Sequence, residues 1–172
     1  MHSKSDNPQS EDLSAIIEGL IKSDIKFILV GGLAAVVQGA PVMTMDVDIV
    51  HDLSSENISK LFLFLESIDA IFRRPDDKII APKIDDISAM GHNLFSTRLG
   101  ALDVLAFIEQ EKTYEDLIED SVEIDFRGQT VHVLDIKKII ELKKKSKNPK
   151  DKLRQPVLEE TLRQLEKELN KQ

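Results

Sequence analysis

Residues 26–50, "KFILVGGLAAVVQGAPVMTMDVDIV", leave the backbone few options. "KFILVG" is short, apolar and bounded by glycine, which reads as a strand. The Gly31-Gly32 turn then opens "GLAAVVQG", a short helix that stops at Gly39. "MDVDIV" follows as a second strand. A strand, a glycine turn, a helix and a strand within 25 residues commit this part of the chain to a sheet with helices against it.

The remaining segments extend that plan. "EDLSAIIEGLIKS" is a helix that Ser10 can cap, with Leu13, Ile16, Ile17, Leu20 and Ile21 on one face. "SSENISKLFLFLESI" is another, with Ser54 as cap and Leu61, Leu65 and Ile68 facing inward. Residues 69–90 read as loop, with a short strand expected at Lys78 to Ala81. "HNLFSTR" and "ALDVLAF" are two strands joined by a turn at Leu99-Gly100. "TYEDLIED" is a helical turn or two, and "SVEIDFRGQTVHVLD" is a hairpin around Arg127-Gly128. "DIKKIIELKKKS" is a helix capped by Asp135, and a last helix follows Asn148-Pro149, with Pro156 near a start or a kink. The expected fold class is α+β: a mixed sheet, helices packed on one side, and a C-terminal helical pair. The expected organisation is a disordered tail over 1–9 and one domain over 10–172, with a sheet core to 134 and helices from 135.

Composition narrows the function. The chain has no cysteine, which excludes disulfides, thiolate metal sites and a cysteine nucleophile. Its N-terminus is polar, unlike a signal peptide. No apolar run approaches the roughly 20 residues of a membrane span. A cytoplasmic location and no membrane partner are expected. The net charge of −8 argues against a general nucleic-acid binder. Yet "KKIIELKKKSKNPKDKLR", residues 137–154, is strongly basic. That is either a solvated helix face or a place for an anionic ligand.

The acids raise the sharper question. In a strand, residues i and i+2 share a face, so Asp46 and Asp48 stand side by side, roughly 6–7 Å apart. Two uncompensated carboxylates repel, and burying them without a partner is costly. A divalent cation such as Mg²⁺, which takes hard oxygen ligands and substrate phosphates, removes both costs. A solvated face or a salt bridge to the C-terminal lysines is the plainer explanation. Asp103, between Leu102 and Val104 in an apolar strand, repeats the pattern. It is otherwise an edge acid paired with a cation. The Gly-Gly turn lets backbone N–H groups face a phosphate, although a tight turn alone would also use it. Neither a P-loop nor a G-x-G-x-x-G fingerprint is present.

Gly31, Gly32, Thr44, Asp46, Asp48 and Asp103 together resemble the nucleotidyltransferase superfamily of DNA polymerase β type. "GAPVMTMDVDIVHDLSSENISKL", "GHNLFSTRLGALDVLAFI" and "LKKKSKNPKDKLRQPVLEETL" are similar to a small bacterial branch of it. That branch is akin to the minimal nucleotidyltransferases and to the toxin nucleotidyltransferases of abortive-infection type. The resemblance implies that Asp46 and Asp48 hold two Mg²⁺ (or Mn²⁺) ions. Asp103 would complete the second metal site and help deprotonate the attacking hydroxyl. Gly31, Gly32 and Thr44 would bind the nucleotide, the glycines at the β- and γ-phosphates. Lys143 and Lys150 would reach the triphosphate, with Asp151 positioning one of them, while Lys144, Lys145 and Lys147 stay in solvent.

By the same resemblance the substrate is an NTP and pyrophosphate leaves. The acceptor it implies is a hydroxyl of a protein, an RNA or a small molecule, and the macromolecular partner it implies is an antitoxin or toxin. Val42 and Asn148 stand where relatives often carry arginine. Arg98 is the expected replacement cation. His92 is a minor candidate for a hydrogen bond at the site, and His51 should point to the opposite face. The alternative to catalysis is a nucleotide-binding or toxin–antitoxin module with little turnover.

Overall fold

A computed structural model describes residues 12–172. The tail expected over 1–9 and the Ser10 cap lie outside the described residues. The first helix, α1 (Leu13–Lys22), is capped by Asp12, whose side chain accepts from the Ala15 N–H at 3.1 Å. After it come β1 (Phe27–Val30), α2 (Gly31–Val37), β2 (Asp46–His51) and α3 (Ser55–Ser67). Ser54 caps α3 as its sequence suggests.

Beyond α3 the chain adds β3 (Ile71–Phe72), α4 (Ile84–Ser88), β4 (His92–Thr97) and β5 (Gly100–Leu105). A small hairpin, β6 (Phe107–Ile108) and β7 (Lys112–Thr113), leads to α5 (Tyr114–Leu117). A second hairpin, β8 (Ser121–Phe126) and β9 (Gln129–Leu134), precedes α6 (Ile136–Lys144) and α7 (Pro149–Leu169).

Seven strands form one mixed sheet in the order β3-β4-β5-β2-β1-β9-β8. The pairs β2/β5 and β1/β9 are parallel and the others antiparallel. This is an α+β architecture. Val47, Ile49, Leu102, Val104 and Phe95 share one face and are fully buried. Ile16 and Leu20 of α1 and Leu61 and Leu65 of α3 belong to the same core. α6 and α7 lie over the other face, beside the carboxylates of β2.

Three expectations need correction. Lys78 to Ala81 is not a strand: Ile79 is 81% exposed, and the segment offers Phe72 one backbone bond, from the Ile80 carbonyl, instead of a ladder. The edge strand is 71–72, and α4 follows because Ile87 fills the core while Asp86 accepts from the Lys83 N–H at 2.7 Å. The strand expected to run through Phe107 ends at Leu105, and 107–113 folds back on itself as the small hairpin. Pro156 does not mark a helix start: it sits inside α7, which begins at Pro149 with Asn148 as its cap.

Asn57, at the start of α3, fixes the alignment on which the site depends. It is 3% exposed, donates to the carbonyls of Lys26 (3.0 Å) and Asp52 (2.8 Å), and accepts from the Lys26 N–H (2.6 Å). Those residues lie just before β1 and just after β2, so one amide ties the two antiparallel strands together. Asn57→Leu would leave the Lys26 N–H and the Asp52 carbonyl without this partner, while the Lys26 carbonyl keeps the Asp52 N–H at 3.1 Å, and should cost about 1–3 kcal/mol. Urea unfolding should show the midpoint falling with an unchanged m-value.

Candidate functional site

Register brings the acids together. β1 pairs Val30 with Asp48, and β2 pairs Asp48 with Asp103 and Asp46 with Ala101. Residues paired across a ladder share a face, so Asp46, Asp48 and Asp103 converge. One oxygen of each lies within 4.8 Å of the others.

The Gly-Gly turn is built around them. A Cβ on Gly31 would stand 2.1 Å from Asp48 Oδ2, and its φ of +69° is one that L side chains rarely adopt. A Cβ on Gly32 would crowd Thr44 Oγ1 at 3.1 Å and an Arg154 nitrogen at 3.3 Å. Thr44, two residues before β2, donates to the Asp46 carbonyl at 3.3 Å while its side chain stands against the turn at Gly32.

Asp48 carries the electrostatic consequence. Burial pushes its carboxyl up to about 8; a hydrogen bond with Asp103 and repulsion by Asp46 and Asp103 add to this, and Lys143 opposes it. Three hard oxygens at this spacing suit a divalent cation, which would take the place of the proton. The residues present therefore fit the metal that the site chemistry implies.

Cations surround the cluster. Arg73 donates to Asp103 Oδ1 at 2.8 Å and to the Phe95 carbonyl at 2.9 Å. The Asp103 side chain is only 13% exposed, so this pair is sheltered. Lys143 is held by Glu109 and lies 3.6 Å from Asp151, which also accepts from Ser146 Oγ at 2.5 Å. Burial pulls the Lys143 ammonium down, but its hydrogen bonds and attraction to Glu109 and Asp151 outweigh that, and its pKa is raised.

A cleft of about 220 Å³ links Gly31, Gly32 and Asp48 to Lys143, Lys150 and Arg154. Val42 and Asn148 line it as well. Arg154 reaches in from α7 and donates to the Met43 carbonyl at 2.7 Å. A guanidinium thus stands beside Val42, on a different element from the one where sequence reading sought it. Lys144, Lys145 and Lys147 are exposed.

Arg98 does not join the cluster, which corrects its expected place. It sits in the β4–β5 turn, donates to the Ser67 carbonyl at 3.0 Å and lies 3.8 Å from Asp69. That turn closes tightly because Thr97 Oγ1 accepts from the Leu99 and Gly100 N–H groups, both at 3.1 Å, which sends Arg98 toward the end of α3. His51 is on the opposite face and fully buried, its ring nitrogens 2.9 and 3.0 Å from the Leu105 and Ile87 carbonyls. His92 lies 2.9 Å from the Phe107 carbonyl, and its ring packs on the Phe107 ring.

Arg73, Arg154 and Glu109 escaped the sequence reading. Arg154 had a usable signal, since it follows Lys150 by four positions on one helix face. Arg73 lay in an unreadable stretch and Glu109 in an unrecognised hairpin.

No protein-family model matches the chain, and no curated protein matches it. Among solved structures, a Thermotoga maritima protein provisionally assigned as a nucleotidyltransferase aligns at 16% identity with a TM-score of 0.48. The alignment covers 93% of this chain and 91% of that one.

Because the folded-state value of Asp48 is raised from 3.8 to about 8, its protonated form stabilises the metal-free fold. That stabilisation is complete below the unfolded value and is lost as pH climbs to about 8. Denaturation of metal-free protein at pH 5 and pH 8.5 should therefore show lower stability at the higher pH. Asp48→Asn should flatten the slope, and Mg²⁺ should restore the wild type but not the variant at high pH. An equal slope in Asp48→Asn would place the titration elsewhere.

Proposed function

We propose that this chain is a divalent-metal-dependent nucleotidyltransferase. It would move a nucleoside monophosphate from an NTP to an acceptor hydroxyl and release pyrophosphate. The observation that carries the reading is the junction of two unlike features at Asp48. Three convergent carboxylates lie on one side, and a cleft lined by Gly31, Gly32, Lys150 and Arg154 lies on the other.

The residues divide the work. Lys150 and Arg154 would bind the β- and γ-phosphate oxygens. The missing side chains at Gly31 and Gly32 would let the polyphosphate pass close to the backbone. Asp46, Asp48 and Asp103 would hold Mg²⁺ or Mn²⁺, which when bound supplies charge neutralisation at the α-phosphate and the leaving oxygen. Arg73 would keep one Asp103 oxygen fixed, leaving the other to receive the hydroxyl proton. The acceptor oxygen then bonds to the α-phosphorus as the bond to the bridging α–β oxygen breaks, and pyrophosphate departs. Positioning and charge account for most of the rate in such chemistry.

The test uses each NTP labelled at the α-phosphate, with Mg²⁺ or Mn²⁺ and cell extract. Label should transfer to an acceptor, and Asp46→Asn, Asp48→Asn and Asp103→Asn should each lose about 10²-fold or more. Absence of transfer from all four NTPs, or full activity in Asp48→Asn, would sink the enzyme reading. Mg-NTP binding without turnover would instead leave a nucleotide-binding module.

A further inference from the structure

A second cleft, about 520 Å³, meets the cationic one at Gly31, Asp48, Ile139 and Lys143. Its size is that of a small-molecule pocket, typically about 300–1,000 Å³. The walls are Val30, Leu105, Phe107, Ile108, Leu134 and Leu142. Among the described residues Lys143 is the one lysine or arginine in its lining, and it already serves Glu109 and Asp151. A phosphate chain finds no spare cation there, while Lys150 and Arg154 both line the neighbouring cleft.

One polar, cationic cleft and one apolar cleft meeting at a carboxylate cluster match the two halves of a nucleotide. The polyphosphate suits the first and the base suits the second, with the α-phosphate at the junction. The roof of the apolar cleft adds a polar edge. Gln110 and Glu111, in the β6–β7 hairpin, have φ of +59° and +54°, left-handed values that non-glycine residues seldom hold in succession. Such backbone persists where the surroundings over-determine it, often at ligand sites. Here it accompanies a hairpin that sets Glu111 on the cleft's lining. Among the described residues the Glu111 carboxylate has no ion pair or side-chain hydrogen bond.

Resting on the nucleotidyltransferase reading, we infer that the apolar cleft is the nucleobase pocket and that Glu111 selects guanine. A carboxylate only accepts hydrogen bonds. Guanine offers adjacent N1–H and N2–H donors that both carboxylate oxygens can meet. Adenine and cytosine present a donor beside an acceptor, and uracil presents one donor between two acceptors. His92 acts here as a positioning residue, holding Phe107 against the cleft through ring contact at 4.6 Å. The base is thereby placed under the β6–β7 hairpin.

Calorimetry of the full chain with Mg²⁺ tests this, using GTP, ATP, CTP, UTP and inorganic tripolyphosphate. GTP should bind about tenfold or more tighter than the other NTPs, and every NTP tighter than tripolyphosphate. Phe107→Ala should weaken all four NTPs about tenfold and leave tripolyphosphate unchanged. Glu111→Gln should erase the GTP preference alone. Glu111 is exposed, so that variant decides the matter if Phe107→Ala does not fold.

Equal binding of the four NTPs would overturn the guanine assignment. Tripolyphosphate binding as well as the NTPs, with both variants silent, would overturn the base pocket and spare the metal–triphosphate reading. Unchanged NTP binding with a raised acceptor KM in Phe107→Ala would give the cleft to the acceptor and overturn the inference. Failure of every Mg-complex to bind would remove both readings.

Discussion

The burial of Asp48 against the carboxyls of Asp103 and Asp46 is the constraint on which the candidate site depends. Parallel pairing of β2 and β5 sets Asp48 and Asp103 directly opposite one another, and Asp46 lies one repeat away on the same face. Nothing in the hydrophobic core requires acids there, since Val47, Ile49, Leu102 and Val104 supply the buried face. The cluster costs stability when fully ionised, and Asp48 answers by keeping a proton to about pH 8. A site that holds a proton against its nature in the metal-free state is set to exchange it for a cation.

The cations around this cluster are arranged so that none cancels it. Arg73 takes one oxygen of Asp103 and anchors its own guanidinium on the Phe95 carbonyl. Lys143 comes near enough to temper Asp48, yet its ammonium is committed to Glu109 and Asp151. Lys150 and Arg154 stay on the cleft wall beyond the glycines. A fully neutralised triad would have no need of a ligand. This one keeps excess negative charge at its centre and excess positive charge a short distance away, which is how a metal-bound polyphosphate is charged.

Much of this was legible in the sequence because it is local. The period of two put Asp46 and Asp48 on one face, and the apolar run around Asp103 marked a third strand acid. Glycine pairs, the Ser54 cap and the Arg127-Gly128 turn are chemistry within a few residues of themselves. What stayed hidden depends on register or on loop paths. Arg73 finds Asp103 across 30 positions and Lys143 finds Glu109 across 34. Arg98 misled because it is close in sequence to Asp103, while the tight turn at Thr97 sends it to the end of α3. Arg154 shows the converse: α7 returns a guanidinium to Val42 from more than a hundred residues away, so a missing cation in sequence is not a missing cation in space.

Lys143 shows how the two clefts become one site. Among the described residues it is the only charged one other than Asp48 that lines both, and it lies between the hairpin that carries Glu109 and the helix that carries Asp151. Its carboxylate partners come from opposite sides, so its position reports the spacing of hairpin and helix together. On the nucleotidyltransferase reading, a polyphosphate entering beside Lys150 would compete with Asp151 for this ammonium, and a base entering under the hairpin would share a cleft with the Glu109–Lys143 pair. Occupation of either cleft therefore bears on the same side chain. Coupling between the two halves of the ligand then needs no rearrangement of the sheet, because the sheet already fixes Asp48 between them.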